Sequence, residues 1–495
     1  MFKKGIALLT IDYDNLKNRT VFFMLLSISI FIRFPFFFRD YIDRDESTFI
    51  LMGQSWVNGH LPYTELWDLK PPITFLYFAS IIYAFGKSFF AIRFFGTLTV
   101  AISAFFTYKI GSKISSKKIG IWSAIACISL QSMFGSLQGV MSEHICMLFF
   151  MPALYLIISY QKFYIYFFSG LLMGLAVMTK LNMAYALLFI GLYILFSFFK
   201  KKEFKTGIVN AIAYGTGIIL MILVTIFPYY LQENIDLWWN SIVKAPLAYS
   251  SARRYSIIKL LPFYLCIAGF FVYAWKKKSL SFKCSSIQIL LIAILGIIFS
   301  FAISGRINGH YLVQLHPILI ILVSIVFSKI VLLQKVNYKP YVILVLLLLP
   351  MEAYLEYVAI IRHKLEKGTF YNGEGISVPN YIRENNIETK NILFLEYHIG
   401  YWKLGMNPPT KAATHPSNIC RSELYPFYDN PRGTSLEELQ FILNELQPKT
   451  IVTRNGRSIF DKKMIDENDY INSYLLEHYQ VIENVEKAEI YQRLE

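Results

Sequence analysis

The sequence predicts a polytopic α-helical membrane protein carrying a small α/β domain at its C-terminal end. Of its 495 residues, 55% are hydrophobic and 17% aromatic, while only 16% are charged, below the roughly 25% usual for soluble domains. Apolar runs long enough to cross a hydrocarbon core of roughly 30 Å recur from residue 20 to about residue 360 and then stop. The chain therefore divides into a membrane body, 1–360, and a polar tail, 361–495, of about 135 residues, long enough for a small core of its own.

The net charge of +15 does not imply a nucleic-acid partner. Most lysines form short clusters between apolar runs: Lys113, Lys117 and Lys118; Lys200, Lys201, Lys202 and Lys205; Lys276, Lys277 and Lys278. Such clusters mark cytoplasmic loops. The first span, residues 20–38, follows Lys3, Lys4, Lys17 and Arg19, which hold the N-terminus inside. No cleavage site follows it, so it stays as a helix. Further apolar segments lie at about 73–86, 89–110, 119–140, 143–160, 163–179, 181–199, 206–230, 257–275, 285–303, 311–329 and 340–359. All three lysine clusters are cytoplasmic only if the tail is outside, so one segment must fail to cross. Segment 73–86 is the shortest and follows Pro71 and Pro72, which marks it as a juxtamembrane or re-entrant helix and leaves about eleven spans. The five cysteines show no paired or metal-binding spacing, so no disulfide framework is implied.

The tail alternates strand-like runs at 391–397, 449–453, 479–485 and 489–494 with helical ones at 377–386, 435–447 and 463–477. The last two strands read as a hairpin, and Ser435 with Glu438 as a capping box. No phosphate loop, metal spacing or nucleophile elbow occurs there, which makes the tail a substrate-side or stabilising module rather than the reaction centre.

The first outer loop, 39–72, reads RDYIDRDESTFILMGQSWVNGHLPYTELWDLKPP. At about 34 residues it far exceeds what joining two helices needs, and long loops of this kind are more often functional than idle. Asp43, Asp45 and Glu46 crowd one end, and Lys70 with Pro71 and Pro72 closes the other. Clustered carboxylates repel, which raises at least one pKa and suits proton abstraction from a hydroxyl; the alternative is that they only solvate a helix end. Glu143 lies at the mouth of an apolar segment, where an unpaired carboxylate is costly unless it faces water or a partner. Lys70, Lys180, Arg253, Arg254 and Arg306 form a cationic set on the outer side. They either snorkel to headgroups or bind a phosphate. His310 beside Tyr311 is an interfacial histidine or touches a phosphate or metal. An all-oxygen set from Asp43, Asp45 and Glu143 would suit Mg²⁺ or Mn²⁺ as a divalent cofactor.

The run DRDESTFILMGQSWVNGHLPYTELWDLKPPITFLYFASIIYAFGKSFFAIRFFGTL resembles the N-terminal signature of GT-C membrane glycosyltransferases, specifically the protein-mannosyltransferase and aminoarabinose-transferase-like group, family 39. It carries the acidic pair, a Gly59-x-x-Pro62-Tyr63 turn, Lys70-Pro71-Pro72, and Gly86-x-Ser88 followed by Arg93. The likeness continues in residues 170–182 and at His310-Tyr311, and covers most of the membrane body. It implies a GT-C body of about 11 to 13 spans with outer juxtamembrane helices. It also implies inverting transfer of a sugar from a polyprenyl-phosphate carrier to an envelope lipid, glycan or protein, at the outer face of a bacterial cytoplasmic membrane. By motif position Asp45 matches the catalytic aspartate, Glu46 its acidic neighbour and Lys70 the lysine on the carrier phosphate, while Glu143, a further catalytic candidate, falls where the second acidic residue, usually Asp, is found. With a phosphate carrier as donor, the outer set Lys180, Arg253, Arg254, Arg306 and His310 supplies further candidate donor-phosphate ligands by its charge and placement. Thr48 stands where some relatives have Arg, and Asp68 lies two residues before Lys70 where some have Glu directly before it; both bear on sugar and acceptor specificity. Competing readings are a lipid-linked polysaccharide polymerase and a non-enzymatic flippase or transporter, for which internal repeats would be expected.

Overall fold

The computed structural model describes residues 13–40, 43–252, 257–330 and 339–494. The membrane body comprises α1 (Asn18–Arg33), α2 (Arg44–Val57), α3 (Pro72–Phe85), α4 (Phe89–Ile114), α5 (Lys117–Gln131), α6 (Ser142–Ser159), α7 (Phe163–Val177), α8 (Ala184–Lys200) and α9 (Phe204–Leu231). Next come α10 (Ala245–Ala252), α11 (Ile257–Lys276), α12 (Ser285–Ser304), α13 (His316–Ser328), α14 (Lys339–Leu348) and α15 (Met351–Lys367). Among the described residues, seven helices are long and apolar enough to cross a membrane, or eight if α14 and α15, bent by 48° at their junction, count as one span. The longer count expected from the sequence also takes in α5, α7 and α13, which hold 15, 15 and 13 residues. At 1.5 Å per residue these reach about 20 to 23 Å, short of the hydrocarbon thickness. Helix α3, of 14 residues, is likewise too short to cross, in keeping with its juxtamembrane assignment.

Long side chains such as Phe196, Ile212, Leu223 and Phe227 are exposed on the outside of this bundle, as lipid-facing residues are. Inside, close approach replaces bulk. A Cβ on Gly170 would lie 2.1 Å from the Tyr214 carbonyl and one on Gly217 2.4 Å from the Phe167 carbonyl, so α7 and α9 meet backbone to backbone through small residues.

Two elements depart from a simple bundle. Helix α2 lies in the long loop 39–72, and its apolar positions Phe49, Ile50, Leu51 and Met52 are buried against the body. Segment 119–140 breaks at Ser132, and residues 132–141, with one helical turn at Gly135–Gln138, form a connection ahead of α6.

The tail holds a four-stranded sheet in the order β1-β2-β4-β3, with β1 (Leu393–Phe394), β2 (Thr450–Arg454), β3 (Tyr479–Val485) and β4 (Ala488–Arg493). β1 and β2 are parallel, while β2 with β4 and β3 with β4 are antiparallel. The hairpin is as expected. The first strand is shorter, because the chain leaves the extended conformation on both sides of it, at Asn391 with φ 54° and at Tyr397 with φ 56°. Helices α16 (Glu374–Glu384), α17 (Ser435–Gln440) and α18 (Ile465–His478) flank the sheet. The capping box of α17 sits one residue earlier than expected: Thr434 caps, Glu437 reciprocates, and Glu438 turns inward to Thr410, Asn430 and Arg432.

Candidate active site

Helix α2 begins where Asp43 accepts the Asp45 N–H at 2.9 Å as its N-cap, a role short acidic residues fill well. This fixes Asp45 in the first turn. Its Oδ2 receives Lys70 Nζ at 3.0 Å. Lys70 reaches it because the chain between them is anchored. Gly59 adopts φ 101° just past the end of α2, a conformation that favours glycine. Buried Tyr63 then donates its hydroxyl to the Lys70 carbonyl at 2.6 Å, and its ring stacks on Tyr229. Pro72 opens α3, whose Ile73 N–H bonds the Met178 carbonyl and whose Thr74 hydroxyl bonds the Thr179 carbonyl. The G-x-x-P-Y and K-P-P motifs thus place one ammonium group, and tie it to the segment leading into Lys180.

Glu46, expected to be catalytic, points the other way. It is 1% exposed, pairs with equally buried Arg93 of α4 and accepts the Val140 N–H at 2.6 Å. Asp45 and Lys70 keep side-chain exposures of 26% and 20%, so of the acidic pair Asp45 is the member a substrate can touch. The loop that Glu46 holds is also gripped by Arg33, which donates to the carbonyls of Leu137, Gln138 and Gly139 at 2.7, 2.8 and 2.9 Å. That loop delivers Glu143 in the first turn of α6. Glu143 is buried, with Lys180 Nζ at 2.5 Å and His310 Nε2 at 3.9 Å. Lys180 also lies over the Tyr311 ring at 4.7 Å. His144 is occupied by the Met141 N–H and the Gln131 carbonyl.

Charges from these elements act on one another. Burial pushes the Asp43 carboxyl up to about 7, with Asp45 and Glu143 adding to the rise. Burial would raise Asp45 too, but Lys70, then His415 and His310, outweigh it and hold its carboxyl well below the usual range. Lys70 is the converse: burial opposes its charge, yet Asp45, Asp68 and Glu143 keep its pKa above the ordinary value. Burial pushes the His310 imidazole down, against the pull of Glu143. The arrangement is a fixed carboxylate beside a movable cation, with a second carboxylate and cation set deeper.

Arg306 donates to the Tyr249 hydroxyl at 2.8 Å, and Arg421 of the tail lies over the same ring at 5.1 Å. Burial would raise the Tyr249 phenol, but Arg421 and Arg306 outweigh it and bring it below its usual value. Arg253 and Arg254 lie outside the described residues. His415, also from the tail, sets Nε2 3.4 Å from Asp45 Oδ1. Tyr249, Arg421 and His415 were missed by sequence reasoning. No local motif marks them, and two of the three lie in the tail.

Two solved structures share this architecture across nearly the whole chain. ArnT from Cupriavidus metallidurans in the apo state superposes with a TM-score of 0.63 at 13% identity, covering 95% of this chain and 97% of that one. The same protein bound to undecaprenyl phosphate gives 0.62 at 14% identity with the same coverage. The chain has the GT-C fold. The fold expected from the sequence is thereby borne out, and residues 70–230 match the family model described as dolichyl-phosphate-mannose-protein mannosyltransferase. No curated protein sequence matches the chain. Within this GT-C body the matched region begins at Lys70 and runs through Glu143 and Lys180 to the end of α9.

The GT-C site does not fit the divalent metal weighed for Asp43, Asp45 and Glu143. Among the described residues no three His, Cys, Asp or Glu side chains are grouped to hold an ion. Asp43 is engaged by its own helix, Asp45 by Lys70 and Glu143 by Lys180. Lysines already supply the positive charge that a cation would bring. Any transfer activity should therefore survive EDTA undiminished; loss on chelation, restored by added Mg²⁺ or Mn²⁺, would contradict this charge assignment.

Proposed function

We propose that this chain is an inverting glycosyltransferase that moves a sugar from a polyprenyl-phosphate carrier to a hydroxyl of an envelope lipid, glycan or protein. The reaction occurs at the outer face of a bacterial cytoplasmic membrane, with the N-terminus inside and the C-terminal domain outside. The observation that carries this reading is the 3.0 Å contact between Asp45 and Lys70 at an accessible point of the first outer loop. It supplies a base and a phosphate anchor side by side. Similarity to a protein solved with undecaprenyl phosphate, and to a family described by a dolichyl-phosphate sugar, supports the carrier class.

In this mechanism the bond between the anomeric carbon and the phosphate oxygen breaks, and its electron pair leaves with the phosphate. The acceptor oxygen bonds to the opposite face of the sugar and gives its proton to Asp45. A phosphate monoester is a stable anion, so cations rather than an acid assist departure. Lys70 on its long stem follows the phosphate, with Lys180, Arg306 and His310 nearby. Asp45, fixed to α2, stays. Withdrawal of Lys70 toward the phosphate removes the charge that most depresses Asp45, so donor binding itself raises the basicity that the next step requires. Glu143, held by Lys180, positions the acceptor or shares its proton.

Lipid-carrier and glycan profiling of producing cells tests this reading: the Asp45→Asn variant should accumulate a polyprenyl-phosphate sugar and lack one residue on a surface product. Unchanged profiles with the protein present and folded would refute it. Lys70→Met removes the anchor charge and should raise the donor KM by about 10- to 100-fold, the range of a lost charged hydrogen bond. An unchanged donor dependence would detach Lys70 from the phosphate.

A further inference from the structure

We propose that the C-terminal domain is part of the reaction centre, because its His415 holds the Asp45 carboxylate in place through an Nε2–H that lies beside Oδ1. This rests on the reading of Asp45 as the base.

The proton position follows from the other ring nitrogen. Nδ1 accepts the Ser417 N–H at 3.2 Å, so the proton of a neutral ring lies on Nε2, which faces Asp45 Oδ1 at 3.4 Å. The ring is 5% exposed and cannot swing away into solvent. Burial first, and Arg421 next among the charges, favour its neutral form, against Asp45 and Asp68.

His415 does not act alone. His398, its neighbour at 5.9 Å between ring centroids, sets Nε2 2.9 Å from the Thr48 hydroxyl. Arg44 pairs with Glu396 and reaches Ser417. Positions 45 and 48 lie one turn apart on the same face of α2, so the tail grips the very turn that carries the base. The Trp67 N–H meets Thr414 Oγ1 at 3.4 Å, and the Trp67 ring packs on Tyr428 at 4.6 Å, extending the seam toward Lys70.

The need for such a partner comes from the chemistry. Among the described residues, Lys70 meets one oxygen of Asp45 and His415 lies beside the other. When Lys70 follows the phosphate, Lys70 no longer orients the carboxylate. His415 then remains to keep one oxygen occupied and the other turned to the acceptor, as the third member of a catalytic triad orients its neighbour. The 3.4 Å separation is long for a hydrogen bond; contacts of this kind tighten in the substrate complex.

The test uses membrane vesicles from cells producing the full-length chain, with the outer face open to buffer. Release of polyprenyl phosphate from their own lipid-linked sugar is followed against pH. Acting on Asp45 are Lys70, His310, His415, His398 and Asp43, with Glu143 acting on Asp43, so each variant is compared at constant background. His415→Ala should lower turnover by about tenfold or more with the donor KM unchanged. Its acid limb should move to higher pH by about one unit, because a donor to the ionised carboxylate is lost. His415→Gln, which keeps an N–H donor near the Nε2 position, should restore most of the turnover and the wild-type limb. Wild-type kinetics and pH profile in His415→Ala overturn the proposal. Equal losses in the Ala and Gln variants, both folded by thermal unfolding, also overturn it and leave only packing. Asp45→Asn in the same vesicles separates the two claims: if it still releases polyprenyl phosphate, the assignment of the base has failed. If it is inactive while His415→Ala is normal, only the role of His415 has failed.

Discussion

Replacing Asp45 by Asn should leave the protein folded and lower sugar transfer by about 10²- to 10⁴-fold, the range attributed to a positioned general base. The substitution keeps the size of the side chain and the backbone N–H that Asp43 caps, so α2 keeps its first turn. What it removes is the negative charge between Lys70 and His415. Steady-state turnover, with donor binding measured separately, is the check. Donor affinity should hold or improve, because Lys70 is no longer engaged by a carboxylate. The wild-type profile of kcat/KM should show its acid limb below the ordinary carboxylate range, since Lys70 and then His415 outweigh burial in setting Asp45. Normal turnover in the Asp45→Asn variant would overturn the assignment of the base.

Glu46→Ala should act on stability rather than on chemistry. It leaves Arg93 buried without its carboxylate and strips the Val140 N–H of its acceptor. Breaking a buried ion pair from one side costs about 3 to 5 kcal/mol, a large share of the roughly 5 to 15 kcal/mol that holds a typical domain together. Loss of thermal stability in detergent, with faster hydrogen exchange across residues 132–143, is the expected result. Activity should fall in proportion to the folded fraction. A variant with wild-type melting that fails only in transfer would return Glu46 to the substrate.

These two neighbours show what the sequence could and could not convey. The pairing of Asp45 with Lys70 was legible because a motif ties both to one loop, and the anchors, Gly59 and Tyr63 between them and Pro72 just beyond, are in the same stretch. Glu46 and Arg93 belong to that motif too, yet their pairing is a tertiary fact: only the fold that brings Arg93 of α4 to Glu46 of α2 turns the acidic pair into one exposed and one buried carboxylate. The strands of the tail were legible from their alternation, and the hairpin from its short connection. The tail's hold on α2 was not, because His398 and His415 lie some 350 residues beyond their partners and stand in no recognisable spacing.

The bonds from α3 to the carbonyls of Met178 and Thr179 make a splint between two stretches of chain that each end in a lysine. Lys70 and Lys180 therefore share a mount. Their backbones form a gauge of set width, and only the side-chain stems flex. A headgroup whose charge fits that gauge meets both ammonium groups without reorganising the backbone; a wider or narrower one meets a single ammonium group. Lengthening the chain by one residue between Lys70 and Ile73 would slip the gauge and change which headgroups are accepted, though every charged side chain remained.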